Sequence, residues 1–196
     1  MDWGLPILSG YALGSVSWAV IIGKLAVHVD VRRRGSGTAG GANVGRLAGI
    51  GWGALVALLD VGKGALAAYV GMRLAGGDLQ GGMTAGVASV VGHILPIWFG
   101  FRGGKGIATF AGVCAVVAPD VILPAAAMWV LAFALTRTVA RASALAAAML
   151  PALGFAIGVG PDQIVYLAAA GYAICLRHMP EAVAGRHRRR RIRRLA

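Results

Sequence analysis

Negative charge is scarce in this sequence, with 7 Asp and Glu among 196 residues. Charged residues of both signs reach only 13%, about half the roughly 25% of a soluble domain. A soluble helical bundle of this size could not cover 58% apolar residues, and the same figures exclude intrinsic disorder. Cysteine is nearly missing: Cys114 and Cys175 lie far apart in apolar runs, which excludes a disulfide framework. His28, His93, His178 and His187 show no metal-ligand spacing, so neither a metal nor another cofactor is expected. The N-terminal MDWGLPILSG has no basic n-region and no clean small-residue cleavage site after it. The first apolar run is therefore read as a retained helix and not a signal peptide. No internal repeat is detectable, which weighs against a transporter.

What is abundant is hydrocarbon. Mean hydropathy is +0.75, and the class this leaves is an all-α integral membrane protein. Apolar runs fall at about 5–27, 47–74, 83–101, 107–118, 121–135, 144–159 and 163–176. They predict a compact bundle of about seven transmembrane helices, several of them short or broken. A single membrane domain is expected over 1–185, followed by a basic tail over 186–196. Of the 19 Lys and Arg, seven lie between Arg186 and Arg194. A net charge of +12 would suggest nucleic acid for a soluble chain. Here it reads as the basic bias of cytoplasmic loops, so no nucleic-acid partner is expected. With the N-terminus outside, Arg32, Arg33, Arg34, Arg46, Arg102, Lys105, Arg137, Arg141 and the tail fall inside, and the C-terminus is cytoplasmic.

Three polar segments gather on that inner side. The first, GSGTAGGANVG, has five glycines in eleven residues at 35–45, which lets backbone approach a ligand closely. Ser36, Thr38 and Asn43 can donate hydrogen bonds, and Arg46 adds a fork of donors suited to phosphate. Gly35, Gly37 and Gly40 spell G-x-G-x-x-G, but no strand precedes them, so a dinucleotide site is not expected. The second segment places His93 before Pro96, then Arg102-Gly103-Gly104-Lys105-Gly106. Its Gly-Gly-Lys-Gly run can form an anion nest at a helix start. Phe99 and Gly106 occupy positions that a Walker A loop gives to Gly and to Ser or Thr, so it is not one. His93 in an apolar span reads either as a functional group or as a helix–helix tie. The third segment is scattered: Arg137 and Ser143, then Arg177 and His178. Asp60 and Lys63 lie three apart on one helical face. Mutual pairing suits Asp60, and Lys63 stays open between that pairing and an anionic site.

GSGTAGGANVGR, DVGKG at 60–64 and GHILPIWFGFRGGKGIAT, in that order and spacing, resemble the bacterial acyl-phosphate:glycerol-3-phosphate acyltransferases of the PlsY type. The resemblance covers most of the chain. It implies a seven-helix protein of the bacterial plasma membrane with its active site facing the cytoplasm. It also implies transfer of a fatty acyl group from acyl phosphate to the 1-hydroxyl of glycerol 3-phosphate. The products would be lysophosphatidic acid and phosphate, with no acyl-CoA and no metal. The expected partners are then glycerol 3-phosphate, acyl phosphate and membrane lipids.

On this resemblance Ser36, Asn43, Arg46, Gly103, Gly104, Lys105, Gly106, Arg137, Ser143, Arg177 and His178 are expected to bind substrate or its phosphate. His93 could accept the hydroxyl proton or position a neighbour, and the substrate phosphate is an alternative base. The family pattern departs at Thr38, Gly41-Ala42 and Ala140, and after His178 the chain reads Met179-Pro180-Glu181, with Glu181 where the family has Asn. A non-catalytic relative that binds phosphate or anionic lipid is the alternative reading. The sequence carries no signal for oligomeric state.

Overall fold

The computed structural model describes residues 3–193, with side chains as far as 178. Every regular element described is helical. Two compact units divide the chain, Met1–Pro119 and Asp120–Ala196.

Among its described residues the first unit holds six α-helices: α1 (Gly4–Gly14), α2 (Trp18–Val27), α3 (Gly41–Ala48), α4 (Ile50–Leu74), α5 (Leu79–Ile94) and α6 (Ile107–Val117). The first apolar run, expected as one helix, is two. Ser15 to Ser17 leave the helical path, and the Val16 carbonyl freed by the break accepts from Lys63 Nζ at 2.6 Å. A polar break inside an apolar stretch persists where protein shields and satisfies it. Small residues let the backbones of this unit touch. A methyl group on Gly10 or Gly14 of α1 would fall on the backbone of Ala85 or Ser89 in α5, the small-xxx-small contact of membrane helices. Gly64 and Gly112 do the same for α4 against α6.

Helix ends follow local chemistry. Gly49, at φ +100°, separates α3 from α4. Asp78 caps α5 by accepting from Gln80 N at 2.9 Å, so α5 starts four residues before the expected Met83. The cap satisfies one of the orphan N–H groups of the first turn.

The second unit holds α7 (Ile122–Thr136), α8 (Val139–Ile157) and α9 (Pro161–Arg193). Arg137 ends α7 in the left-handed conformation, φ +54°. The turn is so tight that α8 begins at Val139, five residues before the expected Ala144. The Ala147 backbone meets Gly171, which sets α8 and α9 antiparallel. α9 continues from the last apolar run into the basic segment as far as Arg193.

Among the described residues, five stretches are long and apolar enough to cross a membrane: Gly4–Val27, Ile50–Leu74, Leu79–Phe99, Pro119–Thr136 and Val139–Ile157. Ile107–Val117 is apolar but shorter. Leu8, Leu58, Leu123 and Phe155 stand among many exposed large apolar side chains, as a surface solvated by hydrocarbon requires.

Candidate active site

The first glycine-rich loop is built around Asn43. Its side chain is buried and projects from the first turn of α3. Oδ1 accepts from Ser36 N at 2.9 Å. Nδ2 donates to the carbonyls of Val31, Arg34 and Thr38 at 2.8, 3.1 and 3.1 Å. Both polar atoms of this amide are thus turned onto the loop's own backbone. These bonds make Asn43 the residue that shapes the loop. What the loop displays is Ser36, exposed, with its hydroxyl 2.9 Å from that of Thr38. Arg46 is exposed farther along α3.

The second loop runs from Leu95 to Gly106 and doubles back onto α5. Gly103 N donates to the Ile94 carbonyl at 3.1 Å, and Gly104 N to the His93 carbonyl at 3.0 Å. These two N–H groups close the turn onto the end of α5. The reason is the end of α5, whose last carbonyls lack helical partners. A methyl group at Gly104 would strike His93 Nε2 and the Ala39 carbonyl. Only a glycine lets the backbone pass there. Ala39 belongs to the first loop, so the two glycine-rich loops touch at this point. Lys105 follows, half-buried. Gly106, at φ +86°, turns the chain into α6.

A clamp fixes the two loops together. Asp30 caps the short turn Val31–Arg33, accepting from Arg32 N at 3.0 Å. It also holds the Arg32 guanidinium, Oδ2 to Nη2 at 2.6 Å. Arg32 Nη1 donates in turn to the Phe99 carbonyl of the second loop, and its guanidinium lies 5.9 Å from the centre of the Phe99 ring. The hydrogen bonds from Arg32 hold the Asp30 carboxyl down at about 2. In the sequence alone Arg32 marks the inner side and nothing more. The Asp-x-Arg spacing was the one signal for its part here.

Beneath the loops lies a buried polar cluster. Asp60 and Lys63 pair at 2.9 Å, which answers the question the sequence left open for Lys63. His93 Nδ1 faces the same carboxylate oxygen, Asp60 Oδ1, at 3.5 Å. The three residues are 2%, 6% and 7% exposed, and each sits inside an apolar helix.

In the second unit, Ser143 and His178 are buried, Arg177 is half-buried and Arg137 is exposed on its turn. Ser143 Oγ accepts from Trp129 Nε1 at 3.0 Å, joining α8 to α7. Trp129 went unnoticed in the sequence, where an indole within an apolar run carries no signal. His178 Nδ1 lies 2.9 Å from the Ile174 carbonyl one turn back. The α8–α9 register puts Ser143 and His178 at the same end of that pair. Glu181 and the end of the basic tail lie outside the described residues or their side chains. Among the described residues, no three of His, Cys, Asp or Glu are gathered as a metal would need.

Residues 5–188 match the family described as glycerol-3-phosphate acyltransferase. The chain belongs to the glycerol-3-phosphate acyltransferase family. The curated enzyme of that name from Pseudomonas paraeruginosa is 39% identical over 192 residues, covering 96% of this chain and 99% of its own. The one from Jannaschia sp. is 38% identical over 175 residues, covering 89% and 85%. The crystal structure of PlsY (YgiH), an integral membrane glycerol 3-phosphate acyltransferase in its glycerol 3-phosphate form, is 35% identical. It superposes with a TM-score of 0.82 over 93% of this chain and 92% of that one. Its lysophosphatidic acid form gives 0.81 at 34% identity over the same shares. Membership of this family makes the chain a multi-pass membrane protein and an acyltransferase.

Proposed function

We propose that the protein transfers a fatty acyl group from acyl phosphate to the 1-hydroxyl of glycerol 3-phosphate, giving lysophosphatidic acid and phosphate. The observation that carries it is the meeting of the two glycine-rich loops at Ala39 and Gly104. It draws the loops bearing Ser36 and Lys105 together at one end of apolar helices. Both substrates present phosphate, one in water and one with its tail in lipid, so a site at a membrane interface serves both.

Lys105, Arg46 and the Ser36 hydroxyl hold phosphate, with the backbone N–H groups at the start of α6 as further donors. Gly106 gives that start its shape. Arg137, Ser143, Arg177 and His178 are the substrate-binding residues of the second unit. Acyl phosphate is already activated, so no protein nucleophile is needed. The glycerol hydroxyl oxygen attacks the acyl carbonyl carbon, the carbon–oxygen bond to phosphate breaks, and the hydroxyl proton leaves on the departing phosphate. The protein's contribution is alignment and stabilisation of charge on the leaving group.

Counting Ile107–Val117 and the first half of α9 with the five long stretches gives seven crossings. An outside N-terminus then puts both loops, the Arg137 turn and the basic tail on the cytoplasmic side of the bacterial plasma membrane. Purified protein in detergent, given palmitoyl phosphate and labelled glycerol 3-phosphate, should form labelled lysophosphatidic acid and one phosphate per ester. Palmitoyl-CoA should not replace the donor. Product from the thioester alone would overturn the donor. Binding of glycerol 3-phosphate with no product from either would favour the non-catalytic relative.

A further inference from the structure

Phosphate binding accounts for Lys105 and Arg46 but leaves Asp60, Lys63 and His93 without a task. Burying three ionisable side chains in apolar helices is costly unless opposite charges face one another, and here the carboxylate lies between an ammonium and an imidazole. Lys63 is held by the Asp60 carboxylate at 2.9 Å and by the Val16 carbonyl at 2.6 Å. Asp60 Oδ1 faces His93 Nδ1 at 3.5 Å. The opposite edge of the ring, Nε2, lies against Gly104, and the His93 carbonyl takes the Gly104 N–H at 3.0 Å. A line of contacts therefore runs from the α1–α2 break through α4 and α5 to the turn that carries Lys105.

We propose that Asp60 is a positioning residue for acyl transfer: it holds the His93 ring with Nδ1 protonated, and the ring sets the Gly103-Gly104 turn that aims Lys105. Lys63 balances the carboxylate's charge and ties it to the break. His93, 7% exposed, acts here as a wedge and not as the base that takes the hydroxyl proton. A carboxylate behind an imidazole fixes both the tautomer and the ring plane, and a turn displaced by about 1 Å can cost a hundredfold in rate. This inference rests on the acyl transfer proposed above.

The test compares kcat and KM for glycerol 3-phosphate in Asp60→Asn, His93→Gln, their double variant, and Asp60→Asn with Lys63→Met. The last removes both buried charges and so guards the fold. Each variant should lose roughly tenfold to a hundredfold in kcat, with a smaller change in KM. The Asp60→Asn/His93→Gln double should be no slower than the slower single. A purely structural role predicts the opposite for the charge-balanced pair: fold and kcat would recover together. Wild-type kcat in Asp60→Asn/Lys63→Met, or multiplying losses in the His93 double, overturns the inference. If no Asp60 variant reaches the membrane folded, 15N-histidine spectra of the wild type decide, since His93 must be protonated at Nδ1. A ring protonated at Nε2 alone overturns it. Wild-type protein without turnover would instead sink the acyl transfer itself.

Discussion

Lys63 and Lys105 each stand in the tripeptide Gly-Lys-Gly, at 62–64 and 104–106, and the fold places the two lysines in unlike surroundings. The first tripeptide lies inside a 25-residue helix. Its lysine is 6% exposed and spends its charge on Asp60 and the Val16 carbonyl. The second lies in a turn, half-buried, with Gly106 at φ +86° opening α6. Identical neighbours do not fix the outcome. Apolar residues on both sides of Gly62-Lys63-Gly64 carry the helix through, whereas the backbone of Phe101, at φ +58°, and Gly106 turn the other tripeptide out of one. A lysine three residues after an aspartate can be buried as a pair. One without such a neighbour stays near the surface, where it can meet phosphate.

The largest expected effect that sharpens this contrast is on the buried lysine. Lys63→Met leaves Asp60 charged and without its ammonium, which should cost about 3–5 kcal/mol. It should be seen as a lowered melting temperature of the detergent-purified protein. Adding Asp60→Asn should restore most of that stability, and an unrestored protein would show that Lys63 stabilises by packing alone. Next comes Gly104→Ala. Its methyl would strike His93 Nε2 and the Ala39 carbonyl, and such overpacking costs about 1–3 kcal/mol. Turnover should fall further than the melting temperature suggests, because the loops part at their contact. Wild-type turnover in Gly104→Ala would separate the loop contact from function.

The smallest effect is at the clamp. Asp30, held at about 2 instead of the ordinary 3.8, has a depressed value, so its stabilisation is complete above the ordinary value and is lost as pH falls through about 2. Amide exchange in the first loop, corrected for each amide's intrinsic rate at that pH, should quicken over that acid range. Asp30→Asn should quicken it at neutral pH by an amount worth no more than about 1 kcal/mol, as for a partly exposed pair. An exchange rate that, so corrected, stays independent of pH in the wild type would show that Asp30 does not hold the loop.

Most of the architecture was legible because lipid imposes it: apolar runs predict helices, and glycine-rich polar stretches between them predict loops. The break at Ser15–Ser17 was not legible, since the residue that satisfies Val16 lies 47 positions away in α4. The early start of α8 was hidden because Arg137 adopts φ +54°, a conformation usual for glycine or asparagine. The hydrogen bonding of the loop residues was not legible. Asn43, Gly103 and Gly104 carry hydrogen-bonding groups suited to phosphate, yet those groups are committed to the loops' own backbone. Composition cannot tell a group that touches a ligand from one that shapes the loop around it.

We propose that the Lys105 loop binds transferring phosphate while Lys63 serves the frame. The most direct measurement is lysophosphatidic acid formed from palmitoyl phosphate and glycerol 3-phosphate by wild type and Lys105→Ala in the same detergent. Removing such a charged donor should lower turnover by roughly a hundredfold to a thousandfold, with the melting temperature unchanged. Equal turnover in the two proteins would contradict the account.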